Sequence, residues 1–474
     1  MSATVIAWLV AMNPDPVPSL LGRATEVLDA EFARLPDYER VADSGEEAIA
    51  GVLDDVAHRL RDNYPYFHPL YAGQMLKPPH PVARAAYALA MKINPNNHAR
   101  DGGRASSEME IEAVAGIAAM FGWKSGEFLG HLTSSGTIAN LEALWVAGQV
   151  SPGKRILGSE QAHYTHGRIS AVLKLDFKQV ATDNRGRMSL EALEVELRQG
   201  NVGTVVVTMG TTAIGAVDPL VEILALRERY GFRVHVDAAY GGYFGLIADD
   251  LDSPTRQAYG AIGGADSIVI DPHKHGLQPY GCGCVLFRDP AMGRFYKHES
   301  PYTYFTSSQL HLGEISLECS RAGAAAVALW ATQRLLPLER GGEFAKGLAK
   351  GRRAALEFDR RLREDARFEA LGGGRPELDI VVWKMRAADP EAASELAQST
   401  FIACSTRDLH LALVQLPLRW FDPAASSEKS SGANEGKAGL VRCLRSVLMK
   451  PEHEQWLDAI WERLMAASRE ATEA

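Results

Sequence analysis

The sequence predicts an α/β protein: a mostly parallel sheet between helices, preceded by a helical segment and followed by a smaller α+β unit. Three observations carry that reading. Short β-branched runs (Val205-Val206-Val207, Val234-His235-Val236, Ile268-Val269-Ile270) recur among helical stretches from 154 to 288, and strands that are continuously apolar belong to sheets buried on both faces. The residues with chemical potential fall directly after such runs: Thr211 and Thr212, Asp237, and His273 with Lys274. The carboxyl ends of strands are where open parallel sheets bind ligands. Beyond Gly341-Gly342, helices expected at 345–365 and 390–400 alternate with strands at 378–384, 409–417 and 439–448.

Composition narrows the partner. The chain has 474 residues, 46% of them hydrophobic, and a formal net charge of −9. No Lys/Arg-rich block interrupts that acidic background, so neither nucleic acid nor an anionic membrane is expected as a partner, and small-molecule chemistry is favoured. The five cysteines (Cys282, Cys284, Cys319, Cys404, Cys443) form no CxxC pair. That argues against a disulfide framework or a structural zinc and suits a reducing cytoplasm.

In chain order, the apolar run Val5 to Val10 lacks a basic flank and is too short to span a bilayer. It reads as a buried terminal segment or a docking helix. Residues 19 to 62 carry helical periodicity through Leu20, Ala24, Val27 and Leu28, then Ile49, Val52, Leu53, Val56 and Leu60, as two helices outside the main core. A proline-rich stretch with Tyr64, Tyr66, Phe67, His68 and Tyr71 follows. Ser107-Glu108-Met109-Glu110 matches a capping box and predicts a helix starting there. Thr133-Ser134-Ser135-Gly136-Thr137 then leads straight into another helix, bringing hydroxyls and free backbone N–H groups to a helix N-terminus, as a phosphate requires; simple N-capping is the competing reading. A helix from Leu220 to Tyr230 closes at Gly231, and Ala424 to Lys437, rich in Ser, Gly, Lys and Glu, reads as a flexible connection.

The chemistry centres on Asp271-Pro272-His273-Lys274-His275-Gly276. A lysine between two histidines at a strand end is a candidate Schiff-base amine, against the alternative of a solvated residue in a turn begun by Asp271-Pro272. Asp237, followed by Ala238-Ala239-Tyr240-Gly241-Gly242, could hold a pyridinium N–H above small residues that let a flat ring approach. Protonation of that nitrogen is what makes pyridoxal phosphate an electron sink. His163 could lie flat on such a ring; a metal site using His163 and His166 lacks further ligands.

These features occur in order, and the chain resembles the pyridoxal-phosphate-dependent enzymes of fold type I, within them the group II amino-acid decarboxylases. The resemblance rests on Leu132 to Asn140, Gln161-Ala162-His163, His235 to Gly242, Asp271-Pro272-His273-Lys274 and Glu318-Cys319-Ser320-Arg321. It implies a seven-stranded sheet in a cofactor-binding large domain at 71–340, an N-terminal dimerisation segment at 1–70 and a small domain at 341–474. It further implies pyridoxal 5'-phosphate on Lys274 as a Schiff base, Asp237 on the ring nitrogen, Ala239 against the ring and His163 stacked over it. Ser134, Ser135, Gly136, Thr137, Thr211 and His273 would surround the phosphate, with Asp271 completing the site. Arg445, or its neighbour Arg442, would hold the substrate carboxylate.

The implied reaction is decarboxylation of an L-amino acid to a primary amine and CO2 through a quinonoid, reprotonated by Tyr304 or Tyr302 in the run Ser300 to Phe305. The implied assembly is a homodimer with sites at the interface. His275 stands where better-known members carry a large aromatic. A carbon-carbon lyase or an aldehyde-forming enzyme on the same scaffold is the alternative activity; the tyrosines of that run lean against the second.

Overall fold

A computed structural model of the chain describes residues 15–38, 44–297, 316–421 and 439–473. The apolar run Val5 to Val10, the loop with Tyr302 and Tyr304, and the connection from Ala424 to Lys437 lie outside the described residues.

Two helices open the described chain, α1 (Val17–Phe32) and α2 (Glu46–Leu60), and neither has a buried residue. The apolar residues of α2 are exposed, Ile49, Val52 and Leu60 among them, whereas α1 exposes Leu20 and Val27 but half-buries Leu21, Ala24 and Leu28. Helix α3 (Pro81–Met91) starts on a proline and is capped by His80, whose Nδ1 accepts from Val82 N. Helix α4 (Arg104–Met120) begins three residues before the expected capping box. The reason is local. Ser107 N already bonds Gly103 O, and the Ser106 hydroxyl is taken up by Asn97 Oδ1 at 2.5 Å, so the serines lie within the first turn instead of capping it.

The large sheet alternates with helices in the order β1 (Leu129–Thr133), α5 (Gly136–Val150), β2 (Arg155–Ser159), α6 (Thr165–Val172), β3 (Phe177–Val180), α7 (Leu190–Arg198), β4 (Val202–Thr208), α8 (Leu220–Tyr230), β5 (Arg233–Asp237), α9 (Ser253–Ala261), β6 (Ser267–Ile270) and β7 (Gly283–Phe287). Its spatial order is β1-β7-β6-β5-β4-β2-β3. Only β7 runs antiparallel to its neighbours β6 and β1; the other pairs are parallel. This is the mostly parallel seven-stranded sheet that the β-branched runs and the resemblance predict. The one reversal has a consequence for chemistry. Because β7 turns straight back along β6, the connecting residues 271–282 fold over the carboxyl ends of the strands instead of crossing to the opposite edge. Helix α8 ends, as expected, at Gly231 with φ of 70°, a left-handed conformation that costs glycine little.

After α10 (Gly323–Leu335) and α11 (Glu343–Glu364), strands β8 (Phe368–Ala370) and β9 (Ile380–Met385), helix α12 (Pro390–Ser405), strands β10 (Ala412–Pro417) and β11 (Leu440–Val447) and helix α13 (His453–Glu473) form the second unit. Its antiparallel sheet has the order β10-β11-β9-β8, packed on Phe358, Trp383, Leu444 and Ile460. Leu70 and Ala72 join that core, and the backbone of 70–72 bonds His410 and Val447. The chain thus ties an early segment to its last strand before entering the large sheet.

Candidate active site

The ends of β4, β5 and β6 and the start of α5 surround a solvent-open cleft with about 660 Å3 of empty space. Ser135, Gly136, Thr137, His163, Asp237, Ala239, Asp271, His273 and Lys274 all line it. Nine positions read from sequence are thereby brought together from four separate stretches of chain.

Lys274 lies in the loop that the β6–β7 reversal throws over the sheet. Its Nζ is 2.9 Å from Asp271 Oδ2. His273 Nδ1 donates to Cys282 O at 2.6 Å, which fixes the ring beside Asp271, its Nε2 3.5 Å from that carboxylate. Burial holds His273 below the usual imidazole value against the opposing charge of Asp271. His275 does not share the cleft: it turns to the other side of the backbone, edge-on to Tyr240 and Phe244. Of the two histidines flanking the lysine, one therefore faces the same cavity and one does not.

Asp237 ends β5 as the expected strand-end carboxylate. His166 Nε2 donates to its Oδ2 at 2.8 Å and Ala239 N to its Oδ1 at 3.1 Å, while Asn140 Nδ2 stands 3.5 Å away. Burial works against ionisation, but the hydrogen bond and charge of His166, then Lys274 and the Ala239 N–H, outweigh it and hold the carboxyl well below the ordinary aspartate range. His235 extends the network, with Nε2 on Asn140 Oδ1 at 2.8 Å and Nδ1 on Ser267 Oγ at 2.9 Å. Burial pushes it down to about 3, so it stays neutral. In a neutral ring that donates Nε2–H to the amide oxygen, Nδ1 is left to accept the serine hydroxyl.

Helix α5 begins with Ser135 as N-cap, its Oγ accepting from Ile138 N at 3.3 Å. The N–H groups of Gly136 and Thr137 precede the first intrahelical bond, from Ala139 N to Ser135 O, and are the free donors of a helix N-terminus. A Cβ on Gly136 would come within 2.4 Å of Asp271 Oδ1, so only glycine lets the helix start approach the lysine loop this closely.

His163 is partly buried and its Nδ1 pairs with Thr165 Oγ1 at 2.8 Å; burial lowers its pKa from the usual value. Ser134 is exposed and its N–H is taken by Glu318 Oε2 at 2.8 Å. The Thr211 hydroxyl accepts from Ala216 N at 3.0 Å within its own turn, and its neighbour Thr212 reaches the cleft instead. Arg445 is buried away from the cleft lining. It donates to Thr212 O (2.7 Å), Ala213 O (3.0 Å), Gly73 O (3.1 Å) and Gln74 Oε1 (3.3 Å). Arg442 is partly buried on the same strand. Arg321, from the quoted Glu318 to Arg321 motif, ties that segment to β1 through Glu110 at 2.7 Å and Leu132 O at 2.9 Å.

Sequence reasoning missed His166 as a partner of Asp237. The only signal was its place three residues after His163 at a helix start, and nothing local says that one ring faces the cleft and the other a strand two places away.

A bound pyridoxal phosphate fits these residues. Thr208 Oγ1 and Asp271 Oδ1 are buried at the cleft without a hydrogen-bond partner among the described residues, an ionised acceptor lies across from an amine, and a helix N-terminus supplies N–H donors for a phosphate.

The conserved domain of the pyridoxal-dependent decarboxylases matches residues 39–386. The L-tyrosine decarboxylase of Enterococcus faecium is 28% identical over 483 residues, covering 79% of this chain and 78% of its own. The aspartate 1-decarboxylase of Aliivibrio fischeri is 34% identical over 229 residues, 42% of this chain and 41% of its own. Among solved structures, mouse CSAD in apo form superposes with a TM-score of 0.74 at 20% identity over 96% of this chain and 92% of that one. Oryza sativa TDC with PLP and tryptamine gives 0.73 at 18% identity over 97% and 98%. At such identities these structures speak for the fold.

Proposed function

The chain belongs to the pyridoxal-dependent decarboxylase family, a carboxy-lyase acting on an amino acid with pyridoxal 5'-phosphate as cofactor, and from that premise we propose which of its residues perform the reaction. The observation that carries the reading is the convergence of Lys274, Asp237, His163 and the α5 N-terminus on one cleft.

Bound there, pyridoxal phosphate supplies an electron-poor ring that takes up the electron pair released when the α-carboxylate leaves as CO2. Lys274 Nζ, kept in place by Asp271 Oδ2, would be the amine that holds the cofactor covalently. Asp237, ionised and oriented by His166, accepts the ring N–H and keeps its proton there. His163 would cover one face of the ring, and the small Ala239 would leave room for it on the other. Ser135, Gly136, Thr137 and His273 hold the phosphate, with Ser134 acting on that loop through Glu318. Thr211 shapes the turn that presents Thr212. Arg445 serves the substrate side by holding Thr212, since four of its five N–H groups are already engaged. Tyr304 or Tyr302 returns a proton to Cα of the product.

The exposed apolar residues of α2, with Leu20 and Val27 of α1, support a homodimer, with the boundaries 1–70, 71–340 and 341–474 as its working units; activity that survives dilution to monomers would count against it. Five free cysteines, four of them buried, suit a reducing cytoplasm. The test of the whole reading is CO2 and amine release over a panel of L-amino acids including tyrosine and aspartate. Wild type should turn over at least one, and Lys274→Ala none, with loss of the cofactor's lysine-linked absorption. Ammonia or aldehyde in place of amine would point to the aldehyde-forming alternative and sink the assignment.

A further inference from the structure

On the far side of the Lys274 backbone lies a second cleft with about 840 Å3 of empty space, sharing no residue with the first. Phe67, Leu277 and Phe344 line its apolar part. Its inner end is polar: His275 and Lys450 are 1% and 2% exposed, with half-buried Lys77 beside them. The acidic residues of the lining lie outward, Glu452 exposed and Glu343 paired with Lys346 at 2.5 Å.

The inner groups are under-partnered. Neither ring nitrogen of His275 has a hydrogen bond among the described residues; its Nε2 stands 3.4 Å from Asp379 Oδ2 outside hydrogen-bond geometry. Lys450 Nζ donates to Tyr71 O at 2.5 Å and Lys77 Nζ to Met449 O at 3.4 Å, one acceptor each for ammonium groups that carry three N–H. Asp379 and Glu452 offset part of the cost of burial at Lys77, and Glu452 part of it at Lys450, but burial outweighs them. Burial pushes Lys77 down to about 8, and burial with the charge of Lys77 pushes Lys450 down to about 7. An anion between them would relieve both costs.

We infer that this cleft binds a small carboxylate with an apolar body, its carboxylate taken by Lys77 and Lys450 beside His275 and its hydrocarbon part lying along Phe67, Leu277 and Phe344. An apolar cavity with a few convergent polar groups is the usual form of a small-molecule site. The site stands independently of the decarboxylase reading, since none of its residues reaches the cofactor cleft.

The experiment is calorimetric titration of the holoenzyme with benzoate and hexanoate, with benzamide as the uncharged match. The expected result is one saturable carboxylate site per chain, with benzamide at least about tenfold weaker. Affinity should survive Lys274→Ala, should fall roughly tenfold or more in Lys450→Met and in Lys77→Met, and should largely return in Lys450→Arg, the cofactor absorption being unchanged in all three lysine variants of this cleft. Should Lys450→Met fail to fold, the half-buried Lys77→Met carries the comparison. The inference is overturned if neither carboxylate binds saturably, if benzamide binds equally, if affinity is indifferent to Lys77→Met, or if binding disappears in Lys274→Ala, which would place the probes in the first cleft.

Discussion

Replacing His166 by phenylalanine keeps a ring of similar breadth and removes the strongest hydrogen bond to Asp237. The bond is 2.8 Å long, and both partners are buried. A hydrogen bond to a charged group contributes about 1.5–3 kcal/mol, and the remaining donors, Ala239 N at 3.1 Å and Asn140 Nδ2 at 3.5 Å, are weaker. At about 1.4 kcal/mol per factor of ten, kcat/KM should fall roughly ten- to hundredfold at neutral pH, because Asp237 would be less well ionised and less well aimed. Acid unfolding supplies a second readout. A carboxyl whose folded pKa lies below its ordinary 3.8 contributes stability that is present above that value and lost as pH falls through the lowered one. Without His166 the opposing burial prevails, the folded pKa of Asp237 rises, and the acid-unfolding midpoint followed by circular dichroism should move to higher pH. A variant with kcat/KM within about twofold of wild type and an unmoved midpoint would refute the role given to His166.

Other outcomes follow from the same geometry. Asp237→Ala should fold, since it leaves a small space at a strand end, yet lose nearly all turnover in the CO2 assay. Gly136→Ala sets a Cβ 2.4 Å from Asp271 Oδ1; overpacking of about 1–3 kcal/mol should appear as a lower melting temperature and weaker cofactor retention on dialysis. Arg445→Met strands four oxygens on two segments and should cost about 3–5 kcal/mol of stability. If Arg445 held substrate instead, the dominant change would be a raised KM with melting unaltered.

Much of the fold was legible because the central strands are buried on both faces and so keep unbroken β-branched runs, as Val205 to Val207 and Ile268 to Ile270 do. Strand β3 was not, since Phe177-Lys178-Gln179-Val180 lies at the sheet edge with Lys178 and Gln179 exposed and carries no such run. The start of α4 was misplaced for a related reason: Ser107 looks like a cap, but its N–H bonds Gly103 O and the neighbouring Ser106 is held by Asn97 from outside the helix. In the cleft, Lys274, Asp237 and His163 could be read because each sits at an element end beside small residues. The partners of His166 and Arg445 could not. One finds its partner on a strand 71 residues away, and the other is bound largely to main-chain oxygens, which leave no mark on side-chain pattern.

The guanidinium of Arg445 also sets an order on biosynthesis. Thr212, at the wall of the cleft, is held by an arginine 233 residues downstream, and the same group grips Gly73 across 372 residues. A nascent chain that already includes Asp237 and Lys274 still lacks the clasp for that wall, so the cleft takes its final shape only once Arg445 has been made.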